Sequence, residues 1–597
     1  MSIAAPIRVT QPRTRVGARL RAVPADVPAL LVLGIGCLAL AVLTWGTWGD
    51  LGSDTGYDWL AAARVADGEL PYVDYVYYYG PLGPLVLGSI YALFGAGAGP
   101  AVALGLVLAV AIVGLTYALA RSFTTPVPAV VAAALAATAA FDAGNTSVVL
   151  AHTVGAPMAV ALALGGILAL VRFERTDRAA WLVAAGLAAG LGALTRPETI
   201  AAWWLALAAW LLLRGRTAER GRDLALIAVP AVAVPLLAYG AFAAAVGPGE
   251  LITGNLFPVG QLGDAGKNIV RAAAPLTASS VFELFAHLVA YGAGAAALVI
   301  AAAWATRPGR SAIAVKAALL LGGLAALAVL AQNPEAVRSR LDLAYAWIPA
   351  GAAVALGVVL SRYRGAAPTD RSRLRLLATF LTLLLVLSLP VYGQFLPFAT
   401  LFSSKSAYVM PAAAIFLVWL HGEELARFGP LARRLGIAFV AFLALAGTVL
   451  VVRDARNQSV TVSGPQGTLS ADAATAPALQ AALDVITDRT KPGDPVLLGP
   501  QLTGLYVMSG RSNPLPTLSL LPGALDGPEA EREAITRLGD VRLAIIDRRP
   551  FTEYGHGAFG STFDQELARW VRSNFTRLVT LRGAGPTPRI FDVWTKE

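Results

Sequence analysis

Charge is what this sequence has least of. Only 14% of its 597 residues are Asp, Glu, Lys or Arg, against about 25% in an ordinary soluble domain. The deficit lies in long runs of Ala, Leu, Val and Gly, and 98–120 and 224–246 carry no charge at all. Roughly twenty apolar residues cross a bilayer as a helix. Several such runs exclude a soluble protein, in line with the mean hydropathy of +0.64. Cysteine is almost missing. Cys37 stands alone inside the first apolar run, so a disulfide framework or a Cys-based metal site within one chain is excluded. The four histidines, His152, His287, His421 and His556, show no ligand spacing. No Gly-x-x-x-x-Gly-Lys-Ser/Thr loop supports ATP-driven transport, and no Gly-x-Ser-x-Gly elbow supports a serine hydrolase. GAGAG at 95–99 follows no strand and reads as backbone packing at a span entrance.

What is present is ordered by the membrane. The net charge of +10 comes from Arg clustered in short stretches between apolar runs. That is the pattern of cytoplasmic loops, not of a nucleic-acid surface. Thirteen spans are expected near 27–45, 98–120, 126–141, 153–171, 179–195, 199–213, 224–246, 284–306, 312–331, 343–361, 376–396, 406–420 and 435–452. With the N-terminus inside, the inner segments hold 24 Lys and Arg and the outer ones up to residue 452 hold 7. Counting 81–94 as a further span would reverse that asymmetry, so it is read as a helix at the outer interface. The expected organisation is a cytoplasmic arm (1–26), a transmembrane domain (27–452) with a first outer loop (46–97), and an extracytoplasmic α/β domain (453–597). In the last part, 478–490, 528–538 and 563–575 read as helices, and 495–499, 542–547, 576–581 and 589–594 as strands.

The first outer loop is the richest in chemistry. It carries Asp50, Asp54, Asp58, Asp67, Glu69 and Asp74 against a single base, Arg64, interleaved with Tyr57, Trp59, Tyr72, Tyr75, Tyr77, Tyr78 and Tyr79. Tyr and Trp favour a membrane interface and also stack on sugars. A carboxylate can take the proton of an attacking hydroxyl. The bland reading of Asp54 is a helix N-cap, since Ser-Asp-Thr-Gly opens an amphipathic segment at 57–66. Asp58 lies one turn further along the same face, and Asp74 is the second acid expected near the site unless it simply fixes the turn after Pro71. Tyr57, Tyr72, Tyr75 and Tyr78 are the candidates for a sugar platform or interface anchors. Asp142 and His152, in the second outer loop, could line an acceptor.

The run DTGYDWLAAARVADGELPYVDYVYYYGPLGPLVLGSIYALFG from Asp54 resembles the first outer loop of the GT-C glycosyltransferases related to protein O-mannosyltransferases and lipid A aminoarabinose transferases. Gly68, Pro71, Tyr72, Asp74, Gly80, Pro81, Phe94 and Gly95 fit that pattern in order, and LTRPE at 194–198 also looks like this family. The resemblance implies a mainly α polytopic membrane fold of the GT-C type. It implies transfer of a sugar from a polyprenyl-phosphate donor to an envelope glycan, lipid or protein on the outer face. It makes Asp54 the catalytic base or an organiser of it and places donor-phosphate contacts after the ninth span, where Arg338 is favoured over Arg340, with Lys267, Arg271 and Lys405 as secondary candidates. One base with a direct displacement means inversion at the sugar. Clustered carboxylates could hold Mg²⁺ or Mn²⁺, with no ligand set assignable. The alternative is a transporter or flippase of a lipid-linked sugar precursor. Ion-coupled carriers usually bury acids within their spans, and the spans drawn here contain no Asp or Glu.

Overall fold

A computed structural model describes residues 26–52, 55–144, 147–214, 220–256, 278–338, 347–388, 406–586 and 588–596. The chain opens with α1 (Asp26–Leu43), then two short helices of the first loop, α2 (Thr55–Ala66) and α3 (Leu82–Phe94). The bundle continues through α4 (Ala98–Phe123), α5 (Pro126–Ala140), α6 (Gly155–Thr176), α7 (Ala180–Gly192), α8 (Pro197–Leu213) and α9 (Arg220–Val246). It is completed by α10 (Ala278–Ala305), α11 (Arg310–Gln332), α12 (Ile348–Gly365), α13 (Pro368–Ser388), α14 (Ser406–Trp419) and α15 (Pro430–Asn457). Each expected span overlaps one of these helices, and residues 343–346 and 389–396 of two of them lie outside the described residues. Among the described residues, eight helices are long and apolar enough to cross a membrane by length and composition alone. At 13 residues each, α3 and α7 reach only about 20 Å, short of a bilayer core of about 30 Å. The protein is a multi-pass membrane protein.

Small residues let the helices approach closely, as membrane helices without a hydrophobic driving force require. A Cβ on Gly186 of α7 would lie 2.3 Å from the Ile227 carbonyl of α9, and one on Gly190 would lie 2.6 Å from that of Pro230. The two ends of the bundle differ in composition. One end gathers Asp26, Arg121, Glu174, Arg214, Asp223, Arg362, Arg375 and Glu424 into ion pairs. The other end gathers the first loop, the α5–α6 and α7–α8 turns, and the C-terminal domain. There Gly49 N–H donates to the Gly144 carbonyl, and Gly80 N–H to that of Thr195.

The C-terminal domain is α/β, as expected. Its sheet runs β3 (Leu497–Gly499), β4 (Leu543–Asp547), β6 (Ile590–Thr595), β5 (Thr576–Arg582), with β3 and β4 parallel and the others antiparallel. All five residues of β4 are buried, which is why LAIID reads as a continuous apolar strand. Helices α16 (Ala476–Arg489), α18 (Gly527–Arg537) and α19 (Gln565–Asn574) match the predicted ones. Three features differ from the sequence reading. The last membrane helix runs on to Asn457, because Arg453 and Asp454 on its final turns pair with Glu335 and Arg338. A hairpin of β1 (Val460–Gly464) and β2 (Gly467–Ala471) follows it. A seven-residue helix, α17 (Thr503–Ser509), is too short for its period to show in sequence.

Candidate active site

The loop before α2 is folded by Asp50, whose backbone N–H donates to Thr55 Oγ1 at 2.8 Å while its Oδ1 accepts from Gly52 N–H at 2.8 Å. The first turn of α2 lies backbone to backbone on α17. A Cβ on Gly56 would come within 1.9 Å of the Gly504 nitrogen. Only glycine permits that approach. Arg64 ties the far end of α2 to the same domain, donating to the Leu515 carbonyl at 2.8 Å and to Glu69 at 2.5 Å and standing 4.8 Å over the Tyr75 ring. Val76 N–H donates to the Pro516 carbonyl at 2.9 Å. The first loop is therefore held between the bundle and the C-terminal domain. Asp54, the expected base, lies outside the described residues.

Asp58 is described, and it is sealed from solvent. Its Oδ1 accepts from Tyr77 Oη at 2.7 Å and its Oδ2 from Val154 N–H, at the start of α6, at 2.5 Å. Burial raises its carboxyl above the usual range. The hydrogen bonds from Tyr77 and Val154 and the nearby His152 and Arg196 pull it back. No guanidinium or ammonium is paired with it among the described residues. As a sealed group, Asp58 cannot meet an acceptor in this conformation; it locks α2 to the Tyr run and to α6.

Around it the aromatic residues divide into two sets. Tyr72, Tyr75 and Tyr77 are buried in the core. That burial takes Tyr72 and Tyr75 away from both roles suggested for them, interface anchor and sugar platform. Tyr72 also adopts φ +70°, an uncommon left-handed conformation for an aromatic residue, and its hydroxyl donates to the Tyr79 carbonyl at 2.5 Å. Tyr57, Tyr78 and Tyr79 stay partly exposed. The rings of Tyr57 and Tyr78 stack at 6.3 Å with a 12° interplanar angle, and Tyr79 meets Tyr57 edge-on at 6.2 Å. Burial pushes the Tyr78 phenol up to about 12.

Tyr79 leads to the polar part of the cluster. Its hydroxyl lies 3.1 Å from His152 Nε2, and the Arg196 guanidinium sits 4.8 Å over its ring. Arg196 also donates to Thr153 Oγ1 at 3.1 Å. Sequence reasoning counted Arg196 only as an outer cation. The available signal was LTRPE, a lone polar interruption between two apolar helices. The structure gives Asp74 the plainer of its two expected roles: it is exposed, and its Oδ2 accepts from Leu70 N–H at 2.7 Å, closing the turn. Arg338, favoured for a phosphate, is paired with Asp454 and lies 3.8 Å from Glu335. Burial works against its charge, but Asp454, Glu335 and Asp142 outweigh that and hold its pKa above the usual value. Arg340, Lys267, Arg271 and Lys405 lie outside the described residues. Among the described residues, no three His, Cys, Asp or Glu side chains come together as metal ligands. Between α3 and α4 runs an apolar groove of about 450 Å³ lined by Ile90, Phe94, Pro100, Ala103, Leu104 and Val107.

The sequence profile of the dolichyl-phosphate-mannose-protein mannosyltransferase family matches residues 79–239. That segment contains Tyr79, His152, Thr153 and Arg196, so the resemblance first seen in the outer loop extends over the polar part of the cluster. No curated protein matches the sequence. Among solved structures, ArnT from Cupriavidus metallidurans bound to undecaprenyl phosphate is similar at 16% identity and a TM-score of 0.40, over 95% of this chain and 98% of that one. AglB, an oligosaccharyltransferase from Archaeoglobus fulgidus in complex with an inhibitory peptide and a dolichol-phosphate, is similar at 14% identity and a TM-score of 0.47, over 95% and 74%.

Proposed function

We propose that this chain is a glycosyltransferase that moves a sugar from a polyprenyl-phosphate donor to a glycan, lipid or protein acceptor. The observation that carries this reading is the cluster of Tyr57, Tyr78, Tyr79, His152 and Arg196 around the sealed Asp58. It stands where the first loop meets the segment matched by the mannosyltransferase profile. Partly exposed stacked rings suit a sugar, and a guanidinium beside them suits an anionic leaving group.

In this reaction Asp54 accepts the proton of the acceptor hydroxyl as that oxygen attacks the anomeric carbon. The bond from that carbon to the phosphate oxygen breaks, and the electron pair leaves with the lipid phosphate. A phosphate is a good leaving group and needs cations more than a general acid. Arg338 would meet it by exchanging Asp454 for it. Attack opposite the leaving group inverts the anomeric centre. The arginine-rich end of the bundle faces the cytoplasm by the positive-inside rule. The first loop and the C-terminal domain then lie on the outer side, with the N-terminus inside.

The test is transfer of labelled sugar from polyprenyl phosphate by the purified protein in lipid nanodiscs. Asp54→Asn should lower the rate by about 10²–10⁴, with inverted configuration in the wild-type product. Unchanged transfer by Asp54→Asn would remove Asp54 as the base. Reorientation of sugar lipids in liposomes without any transfer would replace the enzyme by a flippase.

A further inference from the structure

The C-terminal domain reaches into the loop that precedes α2 with the side chain of Arg589. Arg589 stands immediately before β6, and Asp547 is the last residue of β4. Antiparallel pairing of these strands sets Asp547 opposite Phe591, which brings the Arg589 guanidinium to the Asp547 carboxylate at 2.6 Å. Asp547 is 1% exposed, so the guanidinium is anchored deep in the domain. The same Nη2 points out of the domain and donates to the Gly52 carbonyl at 2.8 Å. Gly52 is held from its other side, its N–H donating to Asp50 Oδ1. There is little room for play: a Cβ at Gly52 would lie 3.3 Å from Arg589 Nη2 and 3.3 Å from Asp50 Oδ1. Next to this contact, Leu51 packs on Gly504, and Gly56 on the backbone of Thr503 and Gly504.

A buried ion pair adds little stability over a well-packed apolar pair, whereas it fixes geometry well. The rigid planar guanidinium gives direction to both bonds. Here that direction is spent on a backbone carbonyl two residues before Asp54 in the chain. We propose that Arg589 is a positioning residue for the transfer reaction, acting through the 50–52 segment. The C-terminal domain is then a working part of the active site. This rests on the glycosyltransferase reading above.

Two variants of the full-length protein test it, Arg589→Lys and Arg589→Ala, with Arg548→Ala as a control. Arg548 stands at the same end of the sheet and pairs with Asp592 instead. Arg589→Lys keeps the charge beside Asp547 but loses the planar geometry that aims one nitrogen at both Asp547 and Gly52. A misplaced catalytic segment lowers turnover without weakening substrate binding, so kcat should fall between about tenfold and a hundredfold. KM for the lipid donor should stay within about twofold and the pH profile should keep its shape. Amide hydrogen exchange should rise across 50–52 in both variants and not in Arg548→Ala. Wild-type kcat in Arg589→Lys, or unchanged exchange across 50–52, overturns the proposal. Should Arg589→Ala fail to fold, Arg589→Lys decides alone. If the wild-type protein transfers no sugar, the functional reading fails first, and the exchange measurement still reports whether Arg589 holds the loop.

Discussion

The two ends of the helical bundle treat buried acids differently. At the arginine-rich end the buried Asp223 and the half-buried Glu174 and Glu424 each meet a guanidinium. Glu174 takes three bonds from Arg375, the shortest at 2.5 Å, and a fourth from Trp210 Nε1; Asp223 meets Arg214 at 2.8 Å; Glu424 meets Arg362 at 2.9 Å. At the opposite end Asp58 is sealed and, among the described residues, takes its hydrogen bonds from a phenol and a backbone amide. The first arrangement neutralises charge where chain segments must be fastened together. The second leaves a desolvated carboxyl with a raised pKa beside partly exposed aromatic rings, an environment typical of functional sites. The comparison teaches that burial alone does not mark a functional acid; the nature of its partners does.

Substitutions can break that comparison. The largest expected effect is on stability, at the paired end. Glu174→Gln strands Arg375, which is only 12% exposed, and should destabilise the fold by about 3–5 kcal/mol. Thermal melting would read this, while the surviving protein keeps its rate per folded molecule. Asp58→Asn should do the reverse in kind. It sets an amide against the Val154 N–H, a loss of about 1–3 kcal/mol, and sugar transfer should fall by about tenfold or more. Equal loss of stability and unchanged turnover in the two variants would erase the distinction between the ends.

A smaller effect is expected at Arg196→Lys, which keeps the charge and loses the planar face over Tyr79. The contact is worth about 0.5–2 kcal/mol, so kcat/KM for the lipid donor should fall several-fold, mainly through KM. An unchanged KM would separate Arg196 from the donor. A further effect, read against pH, is in the C-terminal domain, at Asp564. Burial, reinforced by Glu531, raises its pKa from 3.8 to about 8. The folded state therefore holds a proton there that the unfolded chain has already released. The stability tied to that proton is complete below pH 3.8 and is lost as pH rises to about 8. Asp564→Asn keeps the left-handed conformation at φ +47°, which Asn tolerates. It should flatten the fall of melting temperature across that range, with the variant ahead by a few degrees at the alkaline end. Parallel melting curves for wild type and variant would show that Asp564 is not the titrating group.

Much of the fold was legible in sequence because its signals are long. A run such as 98–120 has no charge anywhere, so a membrane helix is its only stable state. The Arg in the turns needed no contact to be read. The site was legible only as a region. Asp58 and the Tyr run were singled out, but their division was not. Tyr75 and Tyr78 are three residues apart, yet one is in the core and the other stacks on Tyr57 at the surface of the cluster. Arg338 looked free for a phosphate because Asp454, its partner, lies 116 residues away. Arg196 was one cation among seven until Tyr79 was found beneath it.

Composition and periodicity alone determined that this chain is embedded in a membrane, which turns share a side, and that an α/β domain follows the helices. These follow from local physics, since a backbone in lipid must satisfy its own hydrogen bonds and charges must stay out of the hydrocarbon. Only the tertiary structure decided that Asp58 is shut away, that Arg196 covers Tyr79, and that Arg589 of the last domain grips Gly52 of the first loop across 537 residues. Such pairings depend on which helix ends and strand ends converge. No window of neighbouring residues contains that information.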